Sequence, residues 1–546
     1  MQRSCNLRNF VQFAIFSPGL ITEGFIMQKS FIFLTFLGTF IFYHSGIPVT
    51  TPSRFNSFTG TAVTKPHRTS IIPPDMKIDW APGIPGGIPE VDGPVADISD
   101  YGADPTGYND CKNAVMKAMD ALPPTGGIVL FPPGTFRIGS GVRIERDRIV
   151  FRGNGGNSRL FIASRGNSIE VSRYERGQWQ ELSRGAGKGT ISLEVEDGGA
   201  FTAGGFAEIE QDNDSVLMYT DPRWIQPWSG HSVGQVFEIA GIEGNRLTFS
   251  EPVNIDFSAV MNARIRPMGL VRYVGFEDLY IEKTSPHGST IAFMNTAYCW
   301  IRNIESCHTR RSHVQMTACL NNEVRDSYFH RSYSYGGGGS GYGVECGRHV
   351  TNTLVENNIF DSLRHAMLVQ MGANGNVYGY NYSAHPVQGD VETGLNNGWS
   401  PPDISVHGHY AFMNLFEGND VEEIGIADYW GPAGPGNTCF RNRVRGEGIL
   451  IYDKTCGQNL VGNVATLIKD RDREYSGTLR HGNVIRGKPE WDPGIAAREL
   501  PKSYYWRTRP DFFRDSAWPC YGPDIRQYNE LPAQNRFRSM QFPDEL

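Results

Sequence analysis

Apolar residues recur along residues 270–465 with a polar partner two places on. The apolar anchors are Phe276, Ile301, Val324, Val355, Tyr378, Phe412, Phe440 and Val461, and the partners are Asp278, Asn303, Asp326, Asn357, Tyr380, Asn414, Asn442 and Asn463. Seven of the eight partners are Asn or Asp, and the intervals between anchors run from 21 residues (Phe440 to Val461) to 34 (Tyr378 to Phe412). A period in this range signals a solenoid. Each anchor lies in a short run rich in β-branched and aromatic residues, such as Trp300-Ile301-Arg302-Asn303-Ile304 or Cys439-Phe440-Arg441-Asn442-Arg443-Val444. Such runs are strands, too short for helices. A second apolar run follows about ten residues later: Val314-Gln315-Met316, Val344-Glu345-Cys346, Met367 to Met371, Ile424 to Asp428 and Ile449 to Asp453. Gly, Ser, Asn and His fill the gaps, as turns require. Short strands without intervening helices predict an all-β chain, a parallel β-helix whose equivalent residues stack about 4.8 Å apart. The repeated Asn side chains are expected inside, each pairing its amide with the next.

The pattern divides the chain. Residues 96–470 are predicted as the β-helix domain, with a β-rich elaboration over 195–255 and a C-terminal tail, 471–546, packing on the solenoid or closing its far end. Residues 47–95, rich in Pro, Thr, Ser and Gly, read as a flexible lead-in. Residues 1–46 read as a leader. Met27-Gln28-Lys29-Ser30 precedes a 13-residue apolar stretch, Phe31–Tyr43, then His44-Ser45-Gly46, the pattern of a secretory signal starting at Met27. The stretch is short for a stable membrane span. These features predict a secreted or periplasmic protein.

Composition adds little and excludes one class. Gly is 63 of 546 residues, which suits many tight turns. Net charge is −7 with no long basic run, which argues against a nucleic-acid partner. Eight cysteines follow the leader; disulfides and buried free thiols both stay open.

Residues 97–139 carry the most specific signature. Asp97-Ile98-Ser99-Asp100-Tyr101-Gly102-Ala103-Asp104-Pro105-Thr106-Gly107 and Asn109-Asp110 are followed by an amphipathic stretch, Cys111 to Leu122. Gly126-Gly127-Ile128-Val129-Leu130-Phe131-Pro132-Pro133-Gly134-Thr135-Phe136 then follows. This resembles the entry cap of the pectate-lyase-superfamily right-handed parallel β-helices, a group that includes rhamnogalacturonase-like and family-28-related glycosyl hydrolase proteins. The resemblance implies a single-stranded, pectin-lyase-like solenoid with an N-terminal capping helix, and a carbohydrate-active protein. The cap is architectural and transfers no catalytic residue. The paired-Asp strand motifs of the pectin-hydrolysing branch are not evident.

Chemistry is expected where coils carry long inserts: Ser332 to Gly343, His385 to His409 and Gly418 to Gly436. Inserts of repeat proteins tend to emerge on one binding face. Their rings, including Tyr333, Tyr335, Trp399 and Trp430, can stack on sugars. The second strands end in Gln315, Glu345, Gln370, Asp428 and Asp453, expected to align as one polar stripe. Carboxylates of neighbouring coils would then stand at glycosidase spacing. Eight histidines and several arginines gather between residues 308 and 409. A lyase acting on a uronic acid must neutralise the carboxylate and remove the adjacent proton, which these side chains can do. The expected catalytic residues are His308, Arg331, His365, His407, Asp428 and Asp453; the expected substrate-binding residues are Tyr333, Tyr335, Glu345, Gln370, Trp399 and Trp430. No metal is specified: His407-Gly408-His409 beside Asp403 lacks a third ligand, and Asp390 and Glu392 are the carboxylates that could hold Ca2+. The expected partner is a polysaccharide, cleaved by β-elimination or, alternatively, by paired carboxylates; a non-catalytic glycan-binding β-helix is the remaining reading.

Overall fold

The computed structural model describes residues 71–540, apart from 220, 221, 223, 224, 388–400, 429, 453 and 471–476. The expected leader, Asp453, Trp399, Asp390 and Glu392 therefore lie outside the described residues. The chain winds into a right-handed parallel β-helix whose strands form three long faces. Face A stacks Trp300–Arg302, Glu323–Arg325, Leu354–Glu356, Val377–Gly379 and Leu415–Glu417. Face B stacks Glu305–Cys307, Tyr328–His330, Ile359–Asp361 and Tyr382–Ala384. Face C stacks Ser312–Thr317, Tyr342–Cys346, His365–Val369 and Ile404–Val406, continued by the second halves of Asp420–Ile426 and Arg443–Ile451. Five of the eight anchors read from the sequence point inward: Phe276, Ile301, Val324, Val355 and Tyr378 are fully buried in one continuous core, whereas Phe440 and Val461 face outward, one residue past the inward Cys439 and Leu460, and Phe412 packs with the core of the elaboration.

The Asn pattern holds two structures: Asn414, Asn442 and Asn463 belong to the expected buried ladders, whereas in the earlier coils the named positions are turn residues and the ladder stands one residue further on. Asp278, Asn303, Asp326 and Asn357 occupy left-handed turns (φ 52° to 57°), conformations that Asn and Asp tolerate. The buried ladder between faces A and B is Asn358, Asn381, Asn419, Asn442, Asn463 and Asn483. Each Nδ2 donates to the next Oδ1 at 2.9–3.0 Å. A second ladder between faces C and A runs Asn376, Asn414, Asn437 and Gln458. These amides satisfy turn backbone that the helix buries on every coil.

The N-terminal signature builds the cap. Asp104 accepts hydrogen bonds from the Thr106 N–H and hydroxyl and from the Asn109 N–H and side chain, closing the entry turn. Helix α1 (Lys112–Ala121) buries Val115, Ala118 and Met119 on the first coils. The Arg146 guanidinium donates to the Met119, Leu122 and Pro123 carbonyls, which a helix end otherwise leaves unpaired.

Residues 71–94, expected as flexible, form an ordered strap along face A. Ile72 and Trp80 pack with Leu354, Val377, Leu415 and Phe440. The Trp80 indole donates to the Met413 carbonyl (2.8 Å), and Gly83 N–H donates to Asn352 O (2.8 Å). The strap is ordered because its few apolar side chains meet outward-facing apolar residues of face A. The elaboration is wider than 195–255: a six-stranded antiparallel sheet drawn from Gln180–Glu181 to Arg264–Met268, with its own core around Ile209, Phe237, Leu247 and Phe249. The tail packs back on the solenoid: Tyr504, Tyr505 and Trp506 lie on face A, and helix α2 (Pro532–Ser539) lies on face B against Tyr328, Ile359 and Tyr382. The eight described cysteines are free thiols. Among the described residues no helix is long and apolar enough to cross a membrane.

Candidate functional site

The outer surface of face C is where several expected residues meet. Parallel pairing aligns Gln315 with Glu345 and Glu345 with Leu368. Gln370 therefore stands two residues beyond Glu345's register partner and Asp428 further still, so the expected single polar stripe does not form. The apolar anchors define the coil but leave its register at the strand ends to the turns. Glu345 instead sits inside a clamp. Arg311 donates to both its oxygens (2.6 and 3.1 Å), the Ser312 hydroxyl to Oε2 (2.5 Å) and Gln370 Nε2 to Oε1 (2.6 Å). A carboxylate so fully engaged positions its donors.

His407 follows the strand Ile404–Val406 and projects from the same face, where its Nδ1 pairs with Asp428 Oδ2. Asp428 is held in turn, its Oδ1 accepting the N–H of Trp430 (3.0 Å) and of Gly408 (3.3 Å). A carboxylate on Nδ1 fixes the tautomer and leaves Nε2 for proton transfer. The neighbouring His365, one coil back, lies with its ring 6.3 Å from His407. Its Nδ1 donates to the Pro402 carbonyl (2.7 Å). Burial, reinforced by the Arg364 charge, pushes His365 well below the usual imidazole range, so it is neutral. Tyr342 pairs with His365 across the coils, their rings 5.2 Å apart, and Arg364 lies over the Tyr342 ring.

Aromatic rings border this surface. Trp430 stands 5.4 Å from Trp228 and 6.0 Å from His409, edge-on or tilted. Trp228 is 46% exposed and comes from the elaboration, far away in sequence. Arg348 brings it there, donating to the carbonyls of Trp228 (3.1 Å), Gly230 (2.6 Å) and His231 (3.0 Å). His349 adds a hydrogen bond to His231 O (2.9 Å) and another to Glu208 (2.8 Å). Nothing local in the sequence announces Trp228 as a wall of this surface; Tyr342 and Arg364 were visible only as members of an insert and a basic cluster.

The other expected residues lie elsewhere. His308, Arg331, Tyr333 and Tyr335 belong to the turns after face B. His308 touches Cys307 (3.2 Å), and its ring stacks on Tyr333 (5.1 Å). The Tyr335 hydroxyl accepts the Ser332 N–H, pinning its own loop. These four are separate from the His407–Asp428 pair because they follow the second strand of a coil, not the third. The His407/His409/Asp403 grouping also dissolves. His409 packs on tryptophan, and buried Asp403 accepts from the Ser383 hydroxyl and the N–H groups of Glu422 and Glu423. Among the described residues the group with metal-like spacing is Glu208, Glu210 and His349. Arg266 and Arg264 already occupy the two carboxylates at 2.5–3.0 Å, which makes it an ionic clasp between elaboration and solenoid.

Comparisons with known proteins agree with the fold. Residues 95–181 match the family described as rhamnogalacturonase A/epimerase, pectate lyase-like. The tailspike protein gp49 from Pseudomonas phage LKA1 superposes with a TM-score of 0.51 at 12% identity, over 68% of this chain and 64% of that one. The Gp54 tailspike of Acinetobacter baumannii bacteriophage AP22, solved with A. baumannii capsular saccharide, gives 0.47 at 12% identity, over 68% and 58%. The A-module of the Azotobacter vinelandii mannuronan C-5 epimerase AlgE4 gives 0.29 at 13% identity, over 72% and 92%. The chain thus spans 58–64% of the length of these two tailspikes. No curated protein matches it. Residues 95–181 are thus similar to that family, and the cap and first coils, continued by the three parallel faces, make this chain a right-handed parallel β-helix protein.

Proposed function

We propose that the outer surface of face C binds a polysaccharide and cleaves it by β-elimination next to a uronic acid. The observation that carries this reading is the Asp428–His407 pair on an aromatic-bordered face. Asp428 holds Nδ1, so His407 Nε2 accepts the proton from the carbon beside the sugar carboxylate. Trp430 and Trp228 offer faces for stacking sugar rings. Arg364, near Tyr342 and His365, contributes positive charge for the carboxylate and its developing enolate. Neutral His365 adds no competing cation. The family description over residues 95–181, rhamnogalacturonase A/epimerase, supports an acidic polysaccharide as the class of substrate.

The hydrolytic alternative needs a second working carboxylate beside Asp428. Glu345 is spent on Arg311, Ser312 and Gln370, so that alternative rests on Asp453. The leader beginning at Met27 fits an exported enzyme, checked by the N-terminus of material recovered outside the cytoplasm. The deciding assay presents acidic and neutral glycans to the protein. β-Elimination leaves an unsaturated sugar that absorbs in the near ultraviolet, whereas hydrolysis leaves only a new reducing end. Saccharide binding without either product assigns a glycan-binding role instead.

A further inference from the structure

A second reactive cluster lies on face B, and it does not depend on the reading of face C. Parallel register stacks four outward residues of successive coils: Glu282, Cys307, His330 and Asp361. The thiol therefore stands between an acid and an imidazole. His330 is the register partner of Cys307 on the next coil, and its Nε2 faces Glu305 Oε1 at 3.1 Å. Its ring stacks on Tyr328 at 4.2 Å. His308, turned back by its left-handed backbone (φ 55°), places Nδ1 3.2 Å from the same sulfur. One imidazole thus stands at hydrogen-bond distance from the nucleophile, and a second, beside it in register, is oriented by a carboxylate.

The electrostatics agree. Burial by itself pushes the Cys307 thiol up, but the hydrogen bonds and charges of His308 and His330 more than reverse it, and the thiol lies below the usual range. Burial works downward on His330, yet Cys307 and Glu305 raise it to about 9. The other cysteines given a direction, Cys111, Cys299, Cys319, Cys346, Cys439, Cys456 and Cys520, are all pushed up. The other ionisable neighbours are the Tyr280 phenol, bonded to Glu282 at 2.6 Å, the Tyr333 ring over His308, Arg331, and buried His313 beneath the sheet.

We propose that Cys307, set between His308 and His330, is a modification site for small uncharged electrophiles of the hydroperoxide class. Glu282, Glu305 and Asp361 disfavour anionic reagents, and with Cys307 only 4% exposed large ones are excluded. In the reaction the sulfur attacks one peroxide oxygen. An S–O bond forms, the O–O bond breaks, and the leaving oxygen takes its electron pair and a proton from an imidazolium to depart as water or an alcohol. The thiolate is oxidised to a sulfenic acid and the peroxide is reduced.

The test exposes the intact protein to hydrogen peroxide at pH 6.5 for a timed interval, then quenches and unfolds it in a sulfenic-acid trap, with peptide mass spectrometry to locate the adduct. Exposed Cys456 is the internal comparison. Cys307 is expected to be trapped about tenfold faster than Cys456 and about tenfold slower in His330→Gln. Its rate should change little from pH 7 to 8 while that of Cys456 climbs. Trapping at Cys456 with none at Cys307, or equal climbs at both, overturns the proposal. Should His330→Gln fail to fold, the ultraviolet thiolate absorbance of the native protein minus that of Cys307→Ser decides. A native thiolate signal at pH 6.5 supports the site, and its absence overturns it.

Discussion

Faces A and C are cut from the same coils, yet one is covered by the strap and tail and the other presents a His–Asp pair beside aromatic rings. On face A the strap covers Leu354, Val377 and Leu415, and the tail covers the carboxylates beside them. Tyr505 and Trp506 both donate to Glu356 (2.8 and 2.6 Å); the Tyr380 hydroxyl and the Tyr504 N–H donate to Glu417 (2.7 and 2.9 Å). On face C a carboxylate of similar strand-end position, Asp428, holds an imidazole. The difference teaches that outward polar residues on a β-helix mean little until it is known what lies over them. Under a covering segment a carboxylate becomes a docking post; paired with an imidazole it can direct a base.

The sharpest way to break the comparison is to remove the base. His407→Ala is expected to lower the rate of glycan cleavage by about 10²–10⁴-fold while leaving the thermal midpoint nearly unchanged. Asp428→Asn should lose activity in the same direction, because the amide no longer fixes the Nδ1 proton. The readout is the near-ultraviolet product; full activity in both variants would remove face C from the chemistry.

The interior common to both faces comes next. Asn381 donates to Asn419 and Val355 O and accepts from the N–H and amide of Asn358. Asn381→Ala leaves several of these buried groups unpaired and is expected to cost about 3–5 kcal/mol, measured by denaturant unfolding. Faces A and C should suffer together. A loss below about 1 kcal/mol would mean that water replaces the amide.

These experiments also mark what the sequence disclosed. The cap signature, the inward anchors and the second strands at Val314, Val344 and Met367 were legible because burial imposes a two-residue alternation that composition reveals. The ladder was legible at Asn414, Asn442 and Asn463 but misplaced by one residue in the earlier coils, because Asn serves both as a left-handed turn residue and as a stacked amide, and Asn357-Asn358 are one of each. The His407–Asp428 pair was legible only as two members of a candidate set, since register at strand ends is set by turns. Trp228 and the strap were hidden, because their neighbours are distant in sequence and their own segments carry turn-like composition. Arg348, which holds Trp228, looked like one more charge.

A smaller effect tests the wall that Arg348 supports. Trp430→Ala should raise KM about tenfold with little change in kcat, the signature of lost sugar stacking in both ground and transition states. Trp228→Ala should act in the same direction. If kcat falls instead while KM holds, the ring positions His407 and does not bind sugar.

The smallest effect concerns the sealed face. Burial pushes Glu417 up to about 7 against the hydrogen bonds from Ser503, Tyr504 and Tyr380. A carboxyl whose folded value lies above its ordinary one binds more protons folded than unfolded. Its contribution is therefore fully present below about pH 4.5 and is lost as pH rises through about 7. Glu417→Gln keeps a neutral group there at every pH. The variant should match the wild type near pH 4.5 and exceed its Tm at pH 8 by about 2–4 °C. Activity should be unchanged, because the tail lies on face A. A Tm gap that is constant with pH would mean that Glu417 stays ionised beneath the tail, and that the tail does not seal this face from solvent.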